Sequence, residues 1–132
     1  MVIRRLRRPR RHGFTLIELM VVLAIVGMLV TLALPRYVHS VARSREAVLL
    51  HDLQTMREAI DRFQADRGRY PASLDELAEL RYLRKVPADP LTDSASSWVV
   101  LPPPPGKDAS GVYDVRSGAE GHALDGTAYQ SW

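Results

Sequence analysis

The chain has 132 residues, 46% of them hydrophobic and 25% charged, enough for one small domain and too few for two. Its net charge of +3 is carried by the start of the chain: six of the eighteen Lys and Arg fall in the first eleven residues, and beyond residue 13 there are 12 basic against 15 acidic side chains. A basic nucleic-acid-binding domain therefore loses most of its support, and the absence of cysteine excludes disulfide frameworks, thiolate metal sites and cysteine nucleophiles.

Residues 1–13 form a basic leader containing Arg4, Arg5, Arg7, Arg8, Arg10 and Arg11. Residues 14–34, FTLIELMVVLAIVGMLVTLAL, carry a single charge, Glu18. As a helix this stretch is about 31 Å long, which matches a hydrocarbon core of about 30 Å. Arg36, Arg43 and Arg45 follow it more sparsely than the leader arginines precede it, so the positive-inside rule puts residues 1–13 in the cytoplasm and residues 35–132 outside.

Beyond Pro35 the pattern becomes one-sided. Val38, Val41, Ala42, Leu49, Leu53, Met56, Ile60 and Phe63 recur at mostly three- to four-residue spacing, with one gap near Arg45, and charged residues lie between them. This predicts an amphipathic helix over residues 35–66, continuous with the apolar one and ended by Gly68-Arg69-Tyr70-Pro71. Pro35 is compatible with such a helix, because prolines are tolerated where neighbouring groups satisfy the backbone. Ser73-Leu74-Asp75-Glu76 has the spacing of a capping box, and Leu74, Leu77, Leu80 and Leu83 predict a short helix over 73–81. Residues 98–101 and 111–115 read as two strands of a hairpin, and 128–132 as a possible last strand. The expected class is α+β: a long N-terminal helix packed on a small head with a short antiparallel β-sheet.

Little in the chain points to catalysis. His12, His39, His51 and His122 are scattered, and His39 and His51 stand twelve apart, far beyond ligand spacing. Ser40 and Ser44 have no base with an orienting acid, and no Gly-x-x-x-x-Gly-Lys phosphate loop is present. We expect no enzyme, no cofactor and no nucleic-acid partner.

The informative segment is Arg11-His12-Gly13-Phe14-Thr15-Leu16-Ile17-Glu18. Gly13 lacks a Cβ and breaks a helix, which gives a protease extended backbone. A cut after it would leave Phe14 with an α-amino group of pKa about 7.7–8, mostly protonated at neutral pH. Glu18 would lie about 6 Å deeper along the helix. An unpaired acid at mid-membrane costs about 2.5–3.5 kcal/mol, and less near the surface, so a cationic amine is a favourable partner, within the chain or on a neighbour. A secretory signal peptide fits less well, since its apolar run is shorter and ends at a small-x-small site.

This segment resembles the processing site of type IV pilins and pseudopilins. The resemblance implies cleavage between Gly13 and Phe14 by a prepilin peptidase, methylation of Phe14, and a role for Glu18 in recruiting a neighbour and setting its register in a homopolymeric fibre. The Arg69-Tyr70-Pro71 and Asp89-Pro90 segments and the small β-region extend the likeness to the major pseudopilins of type II secretion. It implies partners in other pseudopilins and an inner-membrane assembly platform with a separate ATPase, and placement in the inner membrane with a periplasmic head. Type IV pilus or DNA-uptake subunits are the nearest alternative, and a tethered periplasmic binding module that never polymerises is a more distant one. Type II major pseudopilins also carry an acid-rich calcium loop near the C-terminus. The corresponding residues 114–126 offer only Ser117, Glu120 and Asp125 as weak candidates, so a metal-free turn network is expected there.

Overall fold

The computed structural model describes residues 12–106 and 110–132. Its elements are α1 (Leu16–Arg67), α2 (Leu74–Glu79), β1 (Val99–Leu101), β2 (Asp114–Arg116) and a final 3-10 helix, Tyr129–Ser131. This is an α+β chain with a long N-terminal helix and a small antiparallel sheet. It divides into two compact units, Met1–Val38 and His39–Trp132, and α1 begins in the first and continues in the second. The arginine leader that underlies the orientation argument falls on residues 1–11, outside the described residues.

In the first unit α1 exposes its apolar side chains on every face. Its most hydropathic stretch is entirely unburied and is long and apolar enough to cross a membrane. A helix apolar all round requires a surrounding of lipid or other helices. α1 continues through Pro35, which has no N–H to return to the carbonyl four residues back. One turn earlier the Thr31 hydroxyl donates to the Gly27 carbonyl at 2.8 Å.

The second unit has its core along one stripe of α1. Leu49, Leu53, Met56, Ile60 and Phe63 follow a four-three alternation, and with Ala59 they pack with Leu74, Leu77, Leu83, Trp98, Val112 and Val115. The stripe starts later than its sequence pattern suggests: Val38 is 59% exposed, and Val41 and Ala42 are half-buried. The α1 residues in the buried core cluster run from Leu49 to Phe63. Gly68 ends the helix in the left-handed region, φ 68°, with its N–H on the Gln64 carbonyl at 2.8 Å.

Ser73 caps α2 as expected, its Oγ accepting the Glu76 N–H at 3.3 Å. The return contact of the capping box is displaced by one residue, since the Glu76 carboxylate accepts from Ala72 N–H at 2.6 Å. α2 stops at Glu79, short of the expected residue 81. Arg81 takes a left-handed conformation, φ 63°, and the N–H groups of Tyr82 and Leu83 both turn back to the Leu77 carbonyl. That reversal buries Leu83 and leaves Leu80 exposed.

β1 and β2 pair antiparallel with Val100 opposite Val115. The second strand begins three residues later than predicted, because the chain before it is engaged elsewhere: Val112 N–H donates to the Pro71 carbonyl at 2.7 Å. Gly111 allows this approach at φ 106°, where an added Cβ would stand 2.8 Å from the same carbonyl oxygen. The expected strand at 128–132 is instead the 3-10 helix, with a single bridge between His122 and Ala128. The Ser131 N–H and hydroxyl both turn inward to the Ala128 carbonyl, which removes the extended geometry a strand needs.

Candidate processing and assembly site

Residues 12–15 are non-helical and exposed, and α1 begins at Leu16, two residues beyond the expected start at Phe14. The Gly13–Phe14 bond therefore lies in irregular backbone just ahead of the helix. An atom added at the Gly13 Cβ position would meet nothing within 4 Å, and Phe14 is 87% exposed. Backbone of this kind can be drawn extended into a protease cleft without first unwinding a helix.

Thr15 starts the helix. Its hydroxyl accepts the Glu18 N–H at 3.2 Å, and its carbonyl accepts the Leu19 N–H at 3.2 Å. Threonine followed three residues later by glutamate is the capping-box spacing, and here it aligns the start of α1 with the acid. Glu18 sits in the first turn, where the helix dipole favours a negative charge. Phe14, Leu19 and Val22 frame it in a shallow, largely apolar hollow. The structure thus brings Gly13, Phe14 and Glu18 to one helix end.

The candidates near the C-terminus are engaged separately. Ser117 is fully buried, with its hydroxyl donating to Asp89 Oδ2 at 2.5 Å. Asp125 Oδ1 accepts the Thr127 N–H and hydroxyl at 2.9 and 2.6 Å, which hold its carboxyl below the usual range, the hydroxyl foremost. Glu120, His12, His39, His51 and His122 are exposed.

Three residues that shape the head, Asp89 in its loop and Arg57 and Glu46 on α1, have roles the sequence reading missed. Asp89, fully buried, accepts the Leu91 N–H at 2.8 Å as well as the Ser117 hydroxyl. It thereby folds the proline-bounded loop, and an aspartate before proline is a turn signal that could have marked it. Burial lifts the carboxyl of the nearby Asp52, with the Asp89 charge adding to that rise and His51 opposing it. Arg57 ties α1 to the sheet through Asp114 Oδ1 at 2.8 Å and the Val115 carbonyl at 2.9 Å. Glu46 fills the gap noted in the apolar stripe, four after Ala42 and three before Leu49, and an acid at that phase faces the head.

The family described as the prokaryotic N-terminal methylation motif matches residues 8–34, a span that contains Gly13, Phe14 and Glu18. Type II secretion system core protein G of Pseudomonas aeruginosa is 30% identical over 101 residues, covering 64% of this chain and 71% of that protein. The chain belongs to the type II secretion core protein G family. The core protein G of Klebsiella pneumoniae is likewise 30% identical over 97 residues, 61% of this chain and 69% of that one. Type IV major pilin protein PilA of Myxococcus xanthus is 38% identical over 69 residues, or 52% of this chain. That match spans only 31% of PilA, whereas the core protein G similarity runs through most of both proteins. No solved structure matches the chain. The long apolar helix and the small α+β head expected from the sequence are both present.

Proposed function

We propose that the chain is a non-enzymatic structural subunit of a type II secretion pseudopilus, made as a membrane-anchored precursor. A prepilin peptidase cuts between Gly13 and Phe14 and methylates the new amino terminus of Phe14. Before assembly, residues 14–34 span the inner membrane, with residues 1–13 cytoplasmic and residues 35–132 periplasmic. A platform with a separate ATPase then draws subunits, together with other pseudopilins, into a periplasmic fibre that drives protein export. Leaving lipid is feasible because helix–helix packing replaces the lipid contacts of the same apolar faces.

One arrangement carries this reading: an uncrowded, non-helical Gly13–Phe14 bond directly before a helix whose first turn holds Glu18. The type IV pilus alternative is less favoured because the PilA similarity covers under a third of that protein. Mass spectrometry of the protein from cells containing the peptidase tests the reading. The expected species begins at methylated Phe14. Chains that all begin at Met1 would leave a tethered module that does not polymerise.

A further inference from the structure

Calcium takes six to eight oxygens, usually from several carboxylates. The likeness to major pseudopilins implies such a site in the C-terminal loop, yet most of the candidate side-chain oxygens are turned to other partners and Glu120 stands exposed apart from them. Asp114 is paired with Arg57, Ser117 with Asp89, and Asp125 with Thr127. The carbonyls of Gly121, Ala123 and Thr127 accept the N–H groups of Tyr129, Gly126 and Ala123. Among the described residues no three His, Asp or Glu side chains gather in a way that could hold a metal. The donor set does not fit calcium.

The loop has another anchor. Glu46, half-buried on α1, extends one carboxylate oxygen to two groups of the C-terminal segment: the Leu124 N–H at 2.8 Å and the Tyr129 hydroxyl at 3.0 Å. These bonds cross 78 and 83 residues of chain, so they close the segment onto the helix rather than onto itself. Around them Trp132 Nε1 donates to Thr127 Oγ1 at 2.7 Å, and the rings of Tyr129 and Trp132 meet edge to face at 5.5 Å.

We infer that residues 117–132 are fastened to α1 by the Glu46 carboxylate and hold their fold without calcium. A carboxylate fixed in the chain supplies the negative end of the clamp, and neutral donors of the loop meet it. No cation is needed to reconcile crowded acids, because the loop does not crowd them.

The test uses the full processed chain in detergent micelles, treated with a protease, with cuts inside residues 117–132 located by mass spectrometry. It is run in calcium chloride and again after chelation. For the unsubstituted chain the cutting rate and the melting temperature are expected to be the same in both. Glu46→Ala is expected to speed cutting in this segment about tenfold, with no rescue by calcium, as fits the loss of hydrogen bonds to a charged group. Glu46→Gln keeps an acceptor oxygen without the charge and is expected to give about a threefold effect, which serves should the alanine variant not fold. Protection of the unsubstituted segment by calcium would overturn the inference. So would Glu46 variants that fold and are cut no faster than the parent.

Discussion

Glu18 is the lone charge between residues 14 and 34, and its position in the first turn of α1 beside Phe14 sets what its loss should do. Glu18→Leu removes a charge that is unfavourable in lipid, so insertion and processing are expected to be normal. The fibre is expected to be lost, because the proposed attraction to a neighbour's amine is gone. Recovery of sheared fibres from cells making this variant, with yield equal to the parent, would contradict the role. At the other end of the chain Tyr129 offers a pH test. Burial lifts its phenol above the ordinary 10.0, and the bond to Glu46 lifts it further. The folded state favours the protonated phenol, so this stabilisation is complete below the unfolded value and is lost as pH rises through the folded one. Alkaline titration followed by proteolysis is expected to release the C-terminal segment in that window, and Tyr129→Phe is expected to abolish the dependence.

At the scale of elements, the head rests on the stripe of α1 from Leu49 to Phe63. Leu53→Ala removes a side chain that is 1% exposed, and about 2–5 kcal/mol of stability should be lost, measured by denaturant unfolding in detergent. This stripe was legible from the sequence because helical periodicity records which face is buried. Its origin at Leu49 was not, because Val41 and Ala42 keep the same phase yet are only half-buried and lie outside the buried cluster. The short elements were less legible for a related reason. β2 begins late because Val112 pairs with Pro71, and 128–132 curls because Ala128 accepts two bonds from Ser131. Both outcomes depend on partners distant in sequence or on side-chain bonding that strand propensity ignores. Glu46 and Asp89 are the same lesson for polar groups, since an acid inside an apolar stripe and one before a proline each left a mark whose partner lay elsewhere. The placement of Gly13, Phe14 and Glu18 at one helix end was readable because it is local, and the structure moves only the helix start.

For the whole molecule, the two halves of α1 require different surroundings. The first exposes an apolar surface on all sides, while the second covers one face with the head and turns charged residues outward. Alkaline carbonate washing of membranes from cells lacking the assembly platform is therefore expected to leave the chain in the pellet. Its release into the supernatant would count against a spanning segment. The uncovered first half of α1 also bears on supply. A subunit with that helix in water would aggregate before it reached a growing end, so no dissolved reservoir can feed elongation. On the proposed function the bilayer serves as the warehouse, and the stock of waiting copies in it would limit how long a fibre becomes before synthesis replenishes it.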